Sequence, residues 1–188
     1  TAYTQYQPEI SQGYLQALWE YQSMICEITG MPVANASMYD GATAMAEAAI
    51  LACHATNRQE ILVARSVHPH YREVLATYAR DFDFVIKEID FVDGATSAEK
   101  LTEMAGKGTA AVIIQNPNFF GSVEDLTALI EAAHAVGALF VTVADPIALG
   151  MLEAPGKLGS DMVVGEGQPL GLAIAFGGPY LGFFAASS

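Results

Sequence analysis

Four loops of this sequence carry residues that could bind a phosphorylated or planar ligand. The first is Tyr39-Asp40-Gly41-Ala42-Thr43, which opens a helix-forming stretch rich in small residues. Gly41 allows a tight turn there, and the first N–H groups of the helix, at the positive end of its dipole, would stabilise a phosphate. The alternative is that Asp40 and Thr43 only cap the helix. Both interpretations stay open on this loop alone.

Two further loops place a ring and a carboxylate after predicted strands. His68 lies in the loop Ser66-Val-His-Pro-His-Tyr71, directly after a strand, where its ring could stack on a planar cofactor or could simply cap a helix. We expect no metal at His68 and His70, because no cysteine or carboxylate lies at ligand spacing from them. Asp145 ends another strand. Its carboxylate could pair with a protonated pyridine nitrogen, or it could cap a helix that begins at Pro146.

The fourth loop is rich in glycine and runs from Gly165 to Pro179. Its Gly165-x-Gly167-x-x-x-Gly171 pattern differs from the dinucleotide fingerprint, because three residues separate the last two glycines and no helix follows. A Rossmann-type site is therefore not expected. The sequence also has no Walker phosphate loop, and its four lysines do not follow strands; they are Lys87, Lys100, Lys107 and Lys157.

Alternating helices and strands must position these loops. Apolar residues at helical spacing predict helices over residues 11–29, 43–54, 70–80, 97–106 and 123–136. Seven short apolar runs predict strands at 32–36, 61–64, 84–89, 110–115, 139–143, 161–164 and 180–185. Runs that are apolar at consecutive positions are typical of parallel strands covered on both faces, and the last strand could run antiparallel. We predict one α/β domain over residues 1–188, with ligands beyond the carboxyl ends of the strands.

Composition excludes several classes of function. Twenty-one acidic and eight basic residues give a net charge of −13, which would repel a phosphate backbone, so nucleic acid is not an expected partner. No apolar run approaches the roughly 20 residues of a membrane span, and no signal peptide is visible. We expect a cytoplasmic protein without membrane association. Its two cysteines, Cys26 and Cys53, are expected to be buried free thiols.

Blocks in order along nearly the whole chain resemble one family, the P-protein of the glycine cleavage system, glycine dehydrogenase (decarboxylating). Within that family the sequence is most similar to subunit 1, the α-type subunit of the two-subunit bacterial form. The blocks that carry the resemblance are residues 1–13, Ser37-Met-Tyr-Asp-Gly-Ala-Thr-Ala-Met-Ala-Glu47, Gln115-Asn-Pro-Asn-Phe-Phe-Gly121, Gly165-Glu-Gly-Gln-Pro-Leu-Gly171 and Phe176-Gly-Gly-Pro-Tyr180.

The resemblance implies an architecture and a reaction. The architecture is the large domain of a fold-type-I transferase dependent on pyridoxal phosphate (aminotransferase-like), with a mostly parallel seven-stranded sheet and helices on both faces. The N-terminal part and the C-terminal small domain of the subunit would be absent. The implied reaction is decarboxylation of glycine, with transfer of the aminomethyl group to the lipoyl arm of H-protein. The cofactor, pyridoxal phosphate, is carried by a β-type partner subunit.

Site roles follow from the resemblance residue by residue. The turn Gly41-Ala42-Thr43 matches the phosphate cradle, His68 the ring-stacking position, and Asp145 the partner of the pyridine nitrogen. Gln168 stands at the position of the Schiff-base lysine. Because an amide cannot form a Schiff base, the resemblance implies a vestigial or shared pocket, no catalytic residue in this chain, and no activity by this chain alone.

The chain would then complete the active site of its partner. In this fold the loop after the lysine strand commonly reaches across the dimer, so the first candidates to approach the partner's cofactor are Phe176, Gly177 and Gly178, followed by Tyr3, Tyr6 and Glu9. Plain packing is the alternative role for each. Two other functions stay open: a self-sufficient decarboxylase or lyase of the same fold, and a degenerate, non-catalytic scaffold subunit that binds no cofactor.

Overall fold

The computed structural model describes residues 7–187. Its helices are α1 (Gln12–Thr29), α2 (Gly41–Thr56), α3 (Pro69–Ala79), α4 (Ala98–Met104), α5 (Leu126–Ala135) and α6 (Pro155–Leu158). Its strands are β1 (Val33–Ala34), β2 (Glu60–Ala64), β3 (Val85–Ile89), β4 (Phe91–Val92), β5 (Ala95–Thr96), β6 (Thr109–Asn116), β7 (Leu139–Ala144), β8 (Met162–Glu166) and β9 (Gly182–Ala186). Single 3-10 turns lie at Pro8–Ile10, Ala148–Gly150 and Gln168–Leu170.

Seven strands form one sheet in the order β1-β9-β8-β7-β6-β2-β3. The pairs from β8 to β3 are parallel, whereas β9 pairs antiparallel with both β8 and β1. The predicted mostly parallel seven-stranded sheet is therefore confirmed, including its antiparallel last strand. The carboxyl ends of β2, β6, β7 and β8 meet at one edge, which we call the carboxyl edge.

Apolar side chains cover both faces of the sheet. Consecutive residues of β8 enter different clusters, since Met162 and Val164 join the larger core whereas Val163 joins a smaller core together with Ile25 of α1. The larger core is built on α2, in which five alanines are fully buried and let the helix lie close to the strands; they are Ala44, Ala46, Ala48, Ala49 and Ala52. This packing fixes the N-terminus of α2 near the carboxyl edge.

The structure contains a short helix, α6, that was not predicted, and it differs from the predicted elements in two further places. A two-stranded hairpin, β4–β5, was not predicted; Asp93 and Gly94 turn its corner with φ values of 50° and 82°. Helix α5 begins at Leu126 instead of residue 123, because the Asp125 side chain accepts a hydrogen bond from Ala128 N and caps the helix there.

Two further expectations from the sequence concern the burial of the cysteines and the absence of a membrane span. Cys26 and Cys53 are free thiols but only half-buried, so full burial was wrong, and desolvation raises the pKa of both. Of the helices within residues 7–187, none combines the length and the apolar character that a bilayer crossing requires.

Candidate functional site

A cleft of about 190 Å³ opens at the carboxyl edge, and it brings His68 and Asp145 together. Tyr71, Gln115 and Glu166 also line it. The lining found among the described residues contains two carboxylates and no lysine or arginine. Two side chains that sequence analysis selected independently therefore share one cleft, in whose described lining no lysine or arginine balances the two carboxylates.

His68 is held by its backbone and by its ring. The Gln115 side chain accepts a hydrogen bond from His68 N at 2.7 Å, and His68 Nδ1 accepts one from His70 N at 3.1 Å. Burial, and then the neighbouring His70, hold the pKa of His68 below its usual value. The ring also meets Phe119 edge-on, with centroids 5.0 Å apart. An uncharged imidazole with its proton on Nε2 follows, and the capping role that sequence analysis left open is present.

Asp145 lies just beyond the carboxyl end of β7. Its Oδ1 accepts a hydrogen bond from Ile147 N at 2.9 Å, and Pro146 follows it. The helix start expected at Pro146 is only a turn, which leads into the 3-10 helix Ala148–Gly150. The carboxylate is exposed at the mouth of the cleft, and its local hydrogen bond fixes where it lies.

Helix α2 begins with its own carboxylate cap. Asp40 Oδ1 accepts from Thr43 N at 2.8 Å, and Thr43 Oγ1 accepts from Asp40 N at 3.2 Å, which completes a capping box. The alternative role proposed for this loop is thus observed. Thr43 also lines a separate cleft with Tyr39 and Tyr78, not the one that holds His68 and Asp145.

Glu166, at the end of β8, is the residue that sequence analysis missed. Its Oε2 accepts from Gly41 N at 3.0 Å, and its Oε1 accepts from Gln168 N at 3.1 Å and from Leu181 N at 2.9 Å. An acidic residue between two glycines at the end of a strand was the available signal. The first N–H group of α2 is therefore already bound to a carboxylate of the chain itself.

Two tyrosines lie in the field of this carboxylate. Burial is the main cause that raises the pKa of Tyr71 far above its usual range, and the charges of Glu166 and Asp40 add to it. Burial and then Glu166 raise the pKa of Tyr21 to about 12. Both phenols stay protonated at neutral pH, so they contribute hydroxyl groups and no charge.

Substituting Gly41 by alanine is expected to lower the free energy of unfolding by about 2–3 kcal/mol, as overpacking does. A Cβ at Gly41 would lie 2.3 Å from Tyr71 Oη and 2.9 Å from Glu166 N. Adding Tyr71→Phe should restore part of the loss, because it removes the nearer contact. Urea unfolding of both single variants and the double variant measures this. Gly106→Ala, with no atom within 4 Å of its added Cβ, is the control and should be neutral.

Gln168 follows β8 at the carboxyl edge, in the 3-10 turn Gln168–Leu170. Its side-chain Nε2 donates to Leu172 O, within the glycine-rich loop, and its side chain lines a small cavity of that loop with Ile174 and Tyr180. Gln168 is thus adjacent in sequence to Pro169, which lines the cleft, but its side-chain amide is hydrogen-bonded within the glycine-rich loop.

The loop beyond Gln168 presents Phe176 to solvent. The Phe176 side chain is fully exposed, and Ile174 is 94% exposed. Phe176, Gly177 and Gly178 all have left-handed φ values, of 52°, 113° and 140°. Glu9 is exposed in the 3-10 turn Pro8–Ile10 and does not line the cleft, whereas Tyr3 and Tyr6 lie outside the described residues.

These residues do not fit a covalently bound pyridoxal phosphate. No amine stands at position 168, the N–H of Gly41 is bound to Glu166, and the N–H of Thr43 is bound to Asp40. A ligand phosphate would meet two carboxylates where it needs donors. In the part of the chain that the structure describes, no three His, Cys, Asp or Glu side chains are gathered as they would be around a metal ion.

Comparison with known proteins gives the same family over the whole chain. The family model described as glycine cleavage system P-protein matches residues 1–188. A protein of Moorella thermoacetica named "Probable glycine dehydrogenase (decarboxylating) subunit 1" is 59% identical over 186 residues, which are 99% of this chain and 42% of the relative. The chain thus spans less than half of that relative's length.

Solved structures agree on the fold. A crystal structure of glycine decarboxylase (P-protein) of the glycine cleavage system, in inhibitor-bound form, superposes with a TM-score of 0.94 at 51% identity. It is matched over 100% of this chain and 42% of its own. Sphingosine-1-phosphate lyase of Burkholderia pseudomallei has a TM-score of 0.72 at 13% identity, over 97% of this chain and 47% of its own. The fold is that of the fold-type-I enzymes dependent on pyridoxal phosphate, as predicted. The chain belongs to the glycine cleavage system P-protein family.

Proposed function

We propose that this chain is the large domain of a subunit-1-type P-protein and that it acts as part of a two-subunit glycine dehydrogenase in the cytoplasm. The β-type partner subunit carries the pyridoxal phosphate, and the substrates are glycine and the lipoylated H-protein. The pair decarboxylates glycine and passes the aminomethyl group to the lipoyl arm. Family membership supports this reaction, and the names of the relatives support the subunit type.

The observation that carries the division of labour is Gln168. It follows β8 at the carboxyl edge, where the resemblance places the Schiff-base lysine, and its amide is bound to Leu172 O. A carboxamide nitrogen is not nucleophilic enough to bond covalently to an aldehyde at neutral pH, because its lone pair is delocalised into the carbonyl. This chain by itself is therefore inactive, and no residue of it is a catalytic nucleophile.

This chain contributes to the reaction by forming part of the wall of the partner's active site and by excluding water from it. Pyridoxal phosphate, when bound in the partner, supplies the electron sink for decarboxylation. The exposed loop around Phe176 supplies a large apolar side chain that can close the partner's site against solvent. The left-handed backbone at Gly177 and Gly178 lets the chain turn closely at this point. We assign His68 and Asp145 to a vestigial pocket.

Borohydride trapping tests where the cofactor is bound. This chain, its β-type partner and their mixture are each incubated with pyridoxal phosphate, reduced, and measured by intact mass. We expect an adduct of one pyridoxyl group on the partner alone. Samples left unreduced control for tight but reversible binding, because their adduct is lost on denaturation. An adduct on one specific lysine of this chain would overturn the assignment and favour a self-sufficient enzyme.

The acidic cleft also favours a second candidate, the scaffold subunit that binds no cofactor and contributes no group to the partner's site. Rates of glycine-dependent aminomethyl transfer separate the two. If the partner alone is as fast as the pair, this chain is a scaffold. If only the pair is active, and a single loop substitution in this chain lowers the rate without separating the subunits, this chain completes the site.

A further inference from the structure

The carboxylate of Glu166 joins three parts of the chain that are far apart in sequence. It accepts one hydrogen bond from Gly41 N, the first residue of α2, over a separation of 125 residues. It accepts two more from Gln168 N and Leu181 N, which lie near the two ends of the glycine-rich loop. The side chain is itself half-buried. Its three partners are all backbone N–H groups, so no other side chain is needed for the contact.

These donors form the kind of site that binds an anion. Free N–H groups at a helix N-terminus carry partial positive charge and favour a negative group, and a charged acceptor strengthens each hydrogen bond. Helix α2 is 16 residues long, so its dipole is well developed. Asp40 binds Thr43 N, and Glu166 binds Gly41 N. The charge that a ligand phosphate would bring to this helix end is already supplied by the protein.

The same contacts close the base of the loop. Gly167 N donates to Leu181 O at 2.6 Å, and Leu181 N donates to Glu166 Oε1 at 2.9 Å, so residues 167 and 181 are tied side by side. Between them, the only regular element is the 3-10 turn Gln168–Leu170. The exposed Ile174 and Phe176 therefore project from a loop whose two ends continue the β8–β9 pairing and are held by one further backbone hydrogen bond and by the Glu166 carboxylate.

We propose that Glu166 is an internal anion which takes the place of a ligand phosphate at the N-terminus of α2 and thereby positions the loop of residues 167–181. Glu166 is a positioning residue, because it acts through the loop. Only the use of the loop by a partner rests on the proposed function. The occupation of the helix terminus and the closure of the loop base are properties of this chain alone.

Hydrogen exchange in the complete subunit, without partner or glycine, tests the inference. In Glu166→Ala and Glu166→Gln, peptides covering residues 38–45 and 167–182 should exchange at least about tenfold faster than in the wild type, because amides lose a charged acceptor. Peptides from β6 and β7 should be unchanged, which shows that the fold is intact. Asp145→Ala is the matched control: it removes a carboxylate of the same cleft and should leave both regions unchanged.

Inorganic phosphate then tests whether the N-terminus of α2 binds an anion when Glu166 is removed. Millimolar phosphate should slow exchange at residues 38–45 in Glu166→Ala at least about threefold, and it should have no effect on the wild type. Sodium chloride of equal ionic strength is the control. Unchanged exchange in both Glu166 variants would overturn the positioning role. Failure of phosphate to protect Glu166→Ala, or protection of the wild type, would overturn the replacement of a ligand anion.

The outcome is separable from that of the proposed function. If both Glu166 variants loosen the loop and the reconstituted pair keeps its full rate, the positioning role stands and the loop is not used by the partner. If trapping finds the cofactor on this chain while phosphate is excluded from the wild type, the proposed function fails and the role of Glu166 still stands.

Discussion

Replacing Phe176 by alanine is expected to lower the glycine-dependent rate of the reconstituted pair at least about tenfold, measured with saturating partner so that the subunits stay together. The Phe176 ring is fully exposed in this chain, whereas such rings usually bury about 150–250 Å² in a core or an interface. A buried aromatic anchor of this kind contributes at least about 2 kcal/mol where it acts as a hot spot, and a loss of about 1.4 kcal/mol from the transition state already lowers a rate tenfold.

A matched phenylalanine distinguishes a partner contact from a general loss of apolar surface. Phe82 is 48% exposed and precedes β3, so it lies at the opposite edge of the sheet. Phe82→Ala should leave the rate of the pair within about twofold of the wild type. The free energy of unfolding of Phe176→Ala should also be unchanged, because no core contact is removed. Equal rates for Phe176→Ala and wild type would show that the loop does not reach the partner's site.

Much of the fold follows from local patterns that the sequence displays. The five predicted helices and seven predicted strands are present, because buried parallel strands such as residues 110–115 are apolar at consecutive positions. The β4–β5 hairpin was missed although Asp93-Gly94 is a strong turn pair. Its strands have two residues each, which is too short to show the alternation of apolar and polar residues that identifies a strand. Tertiary pairing, not propensity, decides such short elements.

The candidate site could be predicted only in part. His68 and Asp145 were found because each follows a strand, and parallel strands bring their carboxyl ends together. Glu166 was missed because its importance depends on Gly41, 125 residues away, and on Leu181. The capping pattern at Asp40 and Thr43 was visible in the sequence, but the sequence could not decide between a capped helix and a phosphate cradle.

The role of Glu124 is a second feature that local sequence patterns do not predict. It is 5% exposed, and its two carboxylate oxygens accept four hydrogen bonds. The donors are Ser66 Oγ, Thr96 Oγ1, Thr96 N and Asn118 Nδ2, at 2.8–3.1 Å. They come from the end of β2, from β5 and from the loop after β6. One buried carboxylate therefore connects three segments that have no sequence signal in common.

We expect Glu124→Ala to lower the free energy of unfolding by about 3–5 kcal/mol. The substitution leaves four buried donors without their acceptor, and each unsatisfied group costs about 1–3 kcal/mol before water and relaxation recover part of it. Glu124→Gln should cost about 2–3 kcal/mol, because the amide keeps the volume but turns donor hydrogens toward other donors. Urea unfolding monitored by circular dichroism measures both.

The control and a second readout make this prediction specific. Glu131→Ala removes an exposed carboxylate from α5 and should change the free energy of unfolding by less than about 0.5 kcal/mol. Because Phe119 N donates to Ser66 O and the Phe119 ring meets His68, Glu124→Gln should also shift the NMR signals of the His68 ring. If Glu124→Ala unfolds within about 1 kcal/mol of the wild type, water can replace the carboxylate, and the loop after β6 is held by its own backbone.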